Sequence, residues 1–220
     1  MLDVAGGDGY WAAQARKRGA WAVALDLDGG KLNRGAALTS APALVKGDAL
    51  RLPFSDGSFD RVMSICAIEH FDDGERALDE MTRVLAPGGE LVMSADSLTL
   101  AKRWPGLYAK HCERYHVQRT YSAQQLEDLL TERGLAVDEY VYQFRSAWAQ
   151  RMYLGLSAYG GKFGFNVAAP ALPLVAAADR FGASAGQQDQ GAIVLVHARR
   201  ADPHETRHGA KCSSVTSHRA

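Results

Sequence analysis

The sequence contains only three cysteines in 220 residues, and they lie far apart. Cys66, Cys112 and Cys212 form no CxxC pair and no Cys/His cluster with the spacing of metal ligands. An odd number of distant cysteines excludes a disulfide framework and is typical of reduced thiols in a cytosolic protein. We therefore expect a cytoplasmic protein without a structural metal.

Net charge and long apolar runs are lacking as well. The 25 Lys and Arg balance 25 Asp and Glu, and this zero formal charge argues against binding to a nucleic-acid backbone. No basic segment followed by an apolar one opens the chain, so we expect no secretory signal. The longest uncharged stretch, 163–178, is shorter than the roughly 20 residues of a membrane-spanning helix, and Pro170 and Pro173 interrupt it.

Short apolar runs alternate with segments of helical length over the first three quarters of the chain. This alternation is typical of βαβ units and a parallel sheet. The predicted strands are 1–4, 22–27, 43–46, 61–66, 90–94, 137–144 and 192–198. The predicted helices are 10–18, 30–39, 73–85 and 122–133, and the last begins with the capping-box spacing of Ser122 and Gln125.

Two segments depart from this alternation. Residues 145–191 are rich in glycine, alanine and aromatic residues and form a predicted insertion between the last two strands. Such a segment favours a roof over an apolar substrate, a surface that rests on lipid, or the core of a local subdomain. Residues 201–220 have few apolar side chains and are expected to form a disordered tail, which leaves 1–200 as the domain.

A glycine turn follows the first strand directly. Gly7, Gly9 and Ala12 fit the pattern G-x-G-x-x-A, and Asp26 ends the next strand. Glycines let the backbone approach a ligand at a helix N-terminus, and a carboxylate after the next strand can bind ribose hydroxyls. This pattern alone leaves three alternatives open: a nicotinamide cofactor, S-adenosylmethionine, or a tight turn without a ligand.

Further motifs follow in a fixed order. They are LDVAGGDG at 2–9, ALDLD at 24–28, GDALRLPF at 47–54, DGSFD at 56–60, IEHF at 68–71 and EMTRVLAPGG at 80–89. In this order and spacing the chain resembles class I S-adenosylmethionine-dependent methyltransferases (methyltransferase type 11), and the AGGxG turn looks most like the ubiquinone and menaquinone biosynthesis branch. The resemblance implies a Rossmann-like α/β fold: a mostly parallel seven-stranded sheet with an antiparallel last strand and helices on both faces. It also implies methylation of a small apolar or aromatic acceptor, lipid-like or quinone-like.

The resemblance further implies which residues bind the cofactor. They are Asp3, Ala5, Gly7, Asp8, Gly9, Asp26, Leu27, Asp48, Ala49, Ile65 and Cys66. In this interpretation Asp26 binds the ribose, Asp48 and the Ala49 N–H bind the adenine, and Ile65 and Cys66 lie under the methionine part. Asp8 stands where many relatives have threonine.

Three histidines are candidates for a general base, which is needed only if the acceptor loses a proton. His70 follows the fourth predicted strand, at the sheet edge where ligands bind in open α/β folds, although a structural role is an equal alternative. His111 and His116 lie in a polar segment before the helix at 122, where exposed loop histidines are the default interpretation. We retain His70 and His116 as the catalytic candidates.

The chain begins inside its first predicted strand, whereas relatives usually carry some tens of residues before it. This start suggests N-terminal truncation and motivates a first alternative, a catalytically inactive protein that binds S-adenosylmethionine. A second alternative is a nicotinamide-dependent oxidoreductase. The segment at Asp48 and Ala49 and the lack of a Tyr-x-x-x-Lys pair argue against it.

Overall fold

The computed structural model describes residues 1–37, 40–160, 175, 178–179 and 189–202. Seven strands form one sheet: β1 (Leu2–Val4), β2 (Val23–Asp26), β3 (Ala43–Lys46), β4 (Phe59–Ile65), β5 (Leu85–Asp96), β6 (Leu135–Gln143) and β7 (Ile193–Arg200). Their order is β3-β2-β1-β4-β5-β7-β6. The first five strands pair in parallel, and β7 runs antiparallel to both of its neighbours. The predicted sheet is confirmed.

Six helices surround the sheet in the described residues: α1 (Tyr10–Lys17), α2 (Gly29–Gly35), α3 (Gly74–Val84), α4 (Pro105–Tyr115), α5 (Ala123–Glu132) and α6 (Ala147–Gly155). Two 3₁₀ turns, Ile68–His70 and Ala101–Arg103, and a π-helical turn, Leu156–Gly160, complete the description. None of these helices is long and apolar enough to cross a membrane.

The apolar pattern explains why these elements pack. Every residue of β1 and β2 is buried, as expected for central strands of a parallel sheet. On α3, Ala77, Leu78 and Met81 lie at helical spacing and are fully buried in the core. Asp73 caps that helix by accepting a hydrogen bond from the backbone N–H of Arg76, at 2.9 Å. The capping box of Ser122 and Gln125 is confirmed in the same way at α5.

Two predicted boundaries are wrong. The helix predicted over 30–39 ends at Gly35. Gly35 packs against the glycine turn, where a Cβ would lie 2.0 Å from the carbonyl oxygen of Asp8. The fifth strand, predicted over 90–94, begins at Leu85, so the Pro-Gly-Gly sequence at 87–89 lies within β5. It forms an irregularity there, since Phe59 pairs with Leu85 but Arg61 pairs with Glu90.

Neither α4 nor α6 was predicted from the sequence. Pro105 is the first residue of α4, where the missing backbone N–H of proline costs no helical hydrogen bond. Ser146 caps α6, because its side chain accepts a hydrogen bond from the backbone N–H of Ala149. Within the predicted insertion 145–191, Tyr153 and Leu154 pack into a small apolar cluster with Leu98, Ala101 and Ala192, as the subdomain-core alternative expects. The rest of that segment, namely 161–174, 176–177 and 180–188, and the predicted tail from 203 onward lie outside the described residues.

Candidate functional site

The glycine turn connects the carboxyl end of β1 to α1. Ala5, Gly7 and Gly9 all have positive φ angles, of 56°, 62° and 73°. This conformation is costly for residues other than glycine, so Ala5 is a strained position in the turn. Gly6 is required for another reason: a Cβ there would lie 2.6 Å from Cγ of Asp3. The turn therefore wraps closely around the Asp3 carboxyl group.

Asp26, at the end of β2, fixes the turn from the other side. Its Oδ2 accepts a hydrogen bond from the Gly7 N–H, and its Oδ1 accepts one from the Asp28 N–H, both at 2.8 Å. Lys31 Nζ lies 3.7 Å from Oδ2. A carboxylate has about four acceptor positions, so Asp26 keeps positions for ribose hydroxyls. The motif predicted a role in binding ribose hydroxyls, but not the hydrogen bond from the Gly7 N–H.

Two adjoining cavities flank this carboxylate, and we call them together the glycine-turn cleft. The first has a volume of about 360 Å³, and its lining includes Ala5, Asp26, Leu27, Asp48, Ala49 and Cys66. The second has a volume of about 350 Å³, and its lining includes Asp3, Ala5, Gly7, Asp8 and Ile65. Ala5 and Lys31 line both cavities. The structure thus brings every predicted cofactor residue except Gly9, which caps α1, to one cleft.

The outer end of the first cavity combines apolar and polar groups. Leu27 is 68% exposed there, which is unusual for leucine and provides an apolar surface for a flat ring. Asp48 accepts a hydrogen bond from the backbone N–H of Leu50, at 2.9 Å, and this turn holds the carboxylate at the cavity wall. Gly47, just before Asp48, lets the backbone pass close to Leu25, because a Cβ there would lie 2.8 Å from a methyl carbon of Leu25.

Asp3 is the most deeply buried charged residue of the cleft. It is 1% exposed, and its Oδ2 has no hydrogen-bond partner in the described residues. Burial raises the pKa of this carboxyl to about 7, and the charges of Asp26 and Asp8 add to the effect. The Ala12 backbone N–H opposes them by favouring the charged form. Near neutral pH the Asp3 carboxyl is therefore partly protonated.

Cys66 and His70 lie on the β4 side of the first cavity. Burial raises the pKa of the Cys66 thiol to about 12, so the thiol stays protonated and is no nucleophile. Burial lowers the pKa of His70, which favours a neutral imidazole. His70 Nδ1 is buried without a partner among the described residues, and Nε2 lies 4.0 Å from Oε1 of Glu69.

The other two histidines differ from the sequence-based interpretation. His116 is exposed at the C-terminus of α4, with φ of 54°, and its side chain lines neither cavity of the cleft. His111 was interpreted as an exposed loop residue, and this is wrong. Because the segment folds as α4 and packs against the end of β5, His111 is only 2% exposed.

His111 belongs to a buried polar network that the sequence analysis missed. Its Nε2 lies 2.6 Å from Oδ2 of Asp96, and its Nδ1 lies 2.8 Å from the Ser157 hydroxyl. Ser157 donates its proton to the carbonyl of Leu154, so it accepts from Nδ1. Tyr153 donates to the other oxygen of Asp96, at 2.8 Å. These residues are distant in sequence and match no motif, so only the fold reveals them.

Glu69 connects this network to the cleft. Its Oε1 accepts a hydrogen bond from the Asp96 backbone N–H, at 3.3 Å, and lies near His70. Glu69 is 1% exposed, and burial together with the charge of Asp96 raises its pKa to about 8. A neutral carboxylic acid is therefore expected beside His70 at pH 7.

Known proteins resemble this chain in sequence. Residues 2–93 match the family model described as a methyltransferase domain. The demethylmenaquinone methyltransferase of Mycolicibacterium vanbaalenii is 39% identical over 114 residues, which cover 52% of this chain and 49% of that protein. The one from Mycolicibacterium gilvum is 35% identical over 156 residues, 70% of this chain and 63% of that protein. The chain thus spans about half the length of the curated relatives it matches.

Solved structures resemble it in fold. An S-adenosylmethionine-dependent methyltransferase from Mesorhizobium loti has a TM-score of 0.58 at 20% identity, covering 90% of this chain and 89% of that one. Geranyl diphosphate C-methyltransferase from Streptomyces coelicolor, solved with S-adenosylhomocysteine, has a TM-score of 0.63 at 14% identity and covers 91% and 70%. Residues 2–93 therefore resemble a methyltransferase domain in sequence, and the described residues share the fold of these two solved methyltransferases.

Proposed function

We propose that this chain binds S-adenosylmethionine in the glycine-turn cleft and transfers its methyl group to a small apolar or aromatic acceptor. The observation that carries the proposal is the convergence of the motif residues on one cleft. Asp3, Asp26 and Asp48 come from three separate motifs, yet all three line its two adjoining cavities. The inactive alternative has no observation in its favour.

The residues of the cleft fit the parts of the cofactor. Asp26 retains acceptor positions for ribose hydroxyls, and exposed Leu27 and the Asp48 turn suit an adenine ring. Gly7 has an open backbone for the amino-acid end, where a Cβ would meet only a side-chain carbon of Lys31 at 3.9 Å. The bound cofactor supplies an electrophilic methyl group. The protein's contribution is alignment, which can provide about 7–11 kcal/mol of the barrier reduction.

For the acceptor we propose a reduced, quinone-like ring. The relatives named above are demethylmenaquinone methyltransferases, and the apolar cluster at the end of β5 offers Trp104, Leu107 and Tyr108 at its edge. A reduced, quinone-like ring that gains a methyl group must release a proton. We assign this proton to a ring nitrogen of His70, whose neutral form is favoured and which lines the cleft.

The first test is calorimetric titration with S-adenosylmethionine, S-adenosylhomocysteine and, as comparator, NAD. We expect micromolar binding of the first two and none of NAD. Absence of binding by a folded protein would overturn the proposed cofactor.

The second test measures transfer of labelled methyl to reduced demethylated quinones, phenols and lipids. We expect label in the quinone-like acceptors and a loss of at least tenfold in rate for His70→Gln. Cofactor binding without turnover on any acceptor would instead support the inactive alternative.

A further inference from the structure

Residues 47–58 connect β3 to β4, and we call them the β3–β4 loop. The structure describes all of them, and none belongs to a strand or a helix of the fold. Ala49 and Leu52 within the loop are nevertheless buried. A buried segment needs partners for its backbone N–H and carbonyl groups, because unpaired groups cost free energy. Side chains of α3 supply several of these partners.

Arg83 and Glu80 of α3 form an ion pair that holds the middle of the β3–β4 loop. The Arg83 guanidinium donates to both carboxylate oxygens of Glu80, at 2.8 and 2.9 Å. It also donates to the carbonyl oxygens of Leu52, at 3.0 Å, and Phe54, at 2.8 Å. Glu80 in turn accepts a hydrogen bond from the Leu52 backbone N–H, at 2.8 Å. One ion pair therefore fixes Leu52 at both its N–H and its carbonyl group.

This anchor lies two residues after the part of the loop that lines the glycine-turn cleft. Asp48, Ala49 and Leu50 line the first cavity, and the Asp48 carboxylate accepts from the Leu50 N–H at 2.9 Å. Arg76, one turn before Glu80 on α3, donates to the Leu50 carbonyl oxygen at 3.3 Å. The three charged side chains of α3 line neither cavity themselves. They reach the cleft only through the loop that they hold.

We propose that Arg83 and Glu80 are positioning residues for recognition of the base: they hold the β3–β4 loop where the Asp48 carboxylate and the Ala49 N–H bind an adenine ring. This inference rests on the proposed function, because it takes Asp48 and Ala49 as the residues that bind the base. It also gives a joint role to the motifs at 56–60 and 80–89, since Arg83 donates to the Asp56 carboxylate at 2.7 Å.

A fixed loop matters because the hydrogen-bonding pattern of the base is directional. The edge of adenine offers an amino group that donates and a ring nitrogen that accepts, whereas hypoxanthine has a carbonyl oxygen and a ring N–H at the same places. An ionised carboxylate only accepts, and a backbone N–H only donates. Asp48 and the Ala49 N–H therefore fit adenine and not hypoxanthine, provided that the loop holds them in place.

The experiment is calorimetric titration of the full chain with S-adenosylhomocysteine and with S-inosylhomocysteine, in which hypoxanthine replaces adenine. We expect the wild-type protein to prefer the adenine compound by about tenfold or more. Arg83→Met removes the donors to the loop. We expect this variant to bind S-adenosylhomocysteine about tenfold more weakly and to prefer it over S-inosylhomocysteine by less than about threefold.

Arg133→Met is the matched control, because Arg133 also joins α3 to a neighbouring segment. It donates to Asp79 of α3 at 2.7 Å and to the Leu129 carbonyl oxygen of α5 at 2.8 Å, and it lines neither cavity. The control should lose stability but keep the wild-type preference for adenine. An equal loss of preference in both variants would show general loosening of the fold and would overturn the inference.

A double variant covers the case in which Arg83→Met does not fold because the buried Glu80 carboxylate has lost its partner. Replacement of a buried ion pair by apolar side chains is often neutral for stability. Glu80→Met combined with Arg83→Met removes both charges, and the Leu52 and Phe54 carbonyl groups still lose their donor. We expect the same reduced preference for adenine. A preference equal to that of the wild type would refute the positioning role.

The wild-type protein separates this inference from the proposed function. If it binds neither compound, the proposed cofactor is wrong and the inference falls with it. If it binds both compounds equally, the assignment of Asp48 and Ala49 to the base is wrong, and so is the inference. If the wild type and the folded Arg83 variants prefer adenine to the same degree, the cofactor stands and only the role of Arg83 and Glu80 is wrong.

Discussion

Asp26 has two tasks at the scale of single residues, and they reinforce each other. Its two oxygens hold the backbone of Gly7 and Asp28, so the same carboxylate that we assign to the ribose also shapes the glycine turn. A ligand hydroxyl bound there would meet a side chain whose orientation is already fixed by the backbone. This preorganisation reduces the entropy cost of binding.

Replacement of Asp26 by alanine should therefore weaken binding of S-adenosylmethionine and S-adenosylhomocysteine alike, by about 1–3 kcal/mol, the scale of lost hydrogen bonds to a charged group. Calorimetric titration measures both affinities. Asp28→Ala is the control, because Asp28 caps α2 through Gly30 and Lys31 and lines neither cavity. That variant should lose about 1 kcal/mol of stability and keep its affinity. Equal affinity in Asp26→Ala and wild type would remove Asp26 from the site.

Glu69 makes stability depend on pH. Its pKa is about 8 in the folded protein, above the ordinary value of 4.5, so the folded state binds more protons than the unfolded state between these values. The free energy of unfolding must then fall as pH rises from 5 to 8. Glu69→Gln has no buried carboxyl group that must ionise at high pH. It should therefore be more stable than wild type at pH 8 by on the order of 2 kcal/mol.

Urea unfolding of both proteins at pH 5 and pH 8 measures the effect. The variant should gain relative to the wild type only at the higher pH. A constant difference between the two proteins at both pH values would show that Glu69 does not titrate in this range.

The acidic residues of the site were predictable to different degrees. Asp3 and Asp26 stand at fixed places in a motif, next to strands that the apolar pattern predicts. The sequence did not reveal that Asp3 is left without a partner, because its burial depends on how Gly6 wraps over it. Asp96 is the last residue of β5 and has no motif around it, and its partners His111 and Tyr153 come from helices that were not predicted.

Among the secondary-structure elements, α4 and the π-helical turn after α6 are joined to the end of β5 by one histidine. His111 contacts Asp96 on β5 and Ser157 in that turn, and Tyr153 on α6 reaches the same carboxylate. The side chains of His111 and Asp96 are 3% and 4% exposed. Removal of one partner from such a buried pair leaves the polar group of the other without its hydrogen bond.

We expect His111→Ala to lower the free energy of unfolding by about 1–3 kcal/mol or more, because Asp96 and Ser157 each lose a buried hydrogen-bond partner. Chemical denaturation measures this loss, and near-ultraviolet circular dichroism would report loosening around Tyr153. His116→Asn is the control on the same helix, since His116 is exposed and asparagine tolerates its positive φ. A similar small effect of both variants would contradict the joining role of His111.

Strand and helix prediction failed where packing overrides local pattern. The Pro-Gly-Gly sequence at 87–89 signals a turn, yet β5 continues through it because Leu85 still pairs with Phe59. The α4 segment carries mixed polar and aromatic residues without a clear apolar stripe, so its helix was not predicted. The strands with continuous apolar runs, β1 and β2, were predicted to within a residue or two.

At the scale of the whole molecule, the exposed aromatic residues suggest a surface on which the protein would encounter the proposed acceptor. Trp148 is 49% exposed and Tyr159 is 64% exposed on α6 and the turn after it, the described part of the predicted insertion. A quinone-like acceptor resides in lipid, and aromatic side chains favour the membrane interface. Peripheral contact of this segment with a membrane stays a prediction.

We expect the protein to co-sediment with phospholipid vesicles and Trp148→Ser to reduce the bound fraction severalfold. Trp21→Ser is the matched control, since Trp21 is 65% exposed but lies at the start of β2 beside Phe59, away from this segment. If the wild-type protein remains in the supernatant at all lipid concentrations, the segment does not contact the membrane.

The position of β7 between β5 and β6 governs how the chain can assemble as it leaves the ribosome. Within the described sheet β6 pairs with β7 alone. Gln143, the last residue of β6, therefore cannot form its strand pair until Ile193 has been synthesised. At roughly 5–20 residues per second this takes several seconds, during which β6 has no neighbour and β5 has a bare edge. The sheet therefore cannot close until β7 has emerged. A premature stop near residue 190 would release a chain with two unpaired strand edges, the form most prone to aggregate.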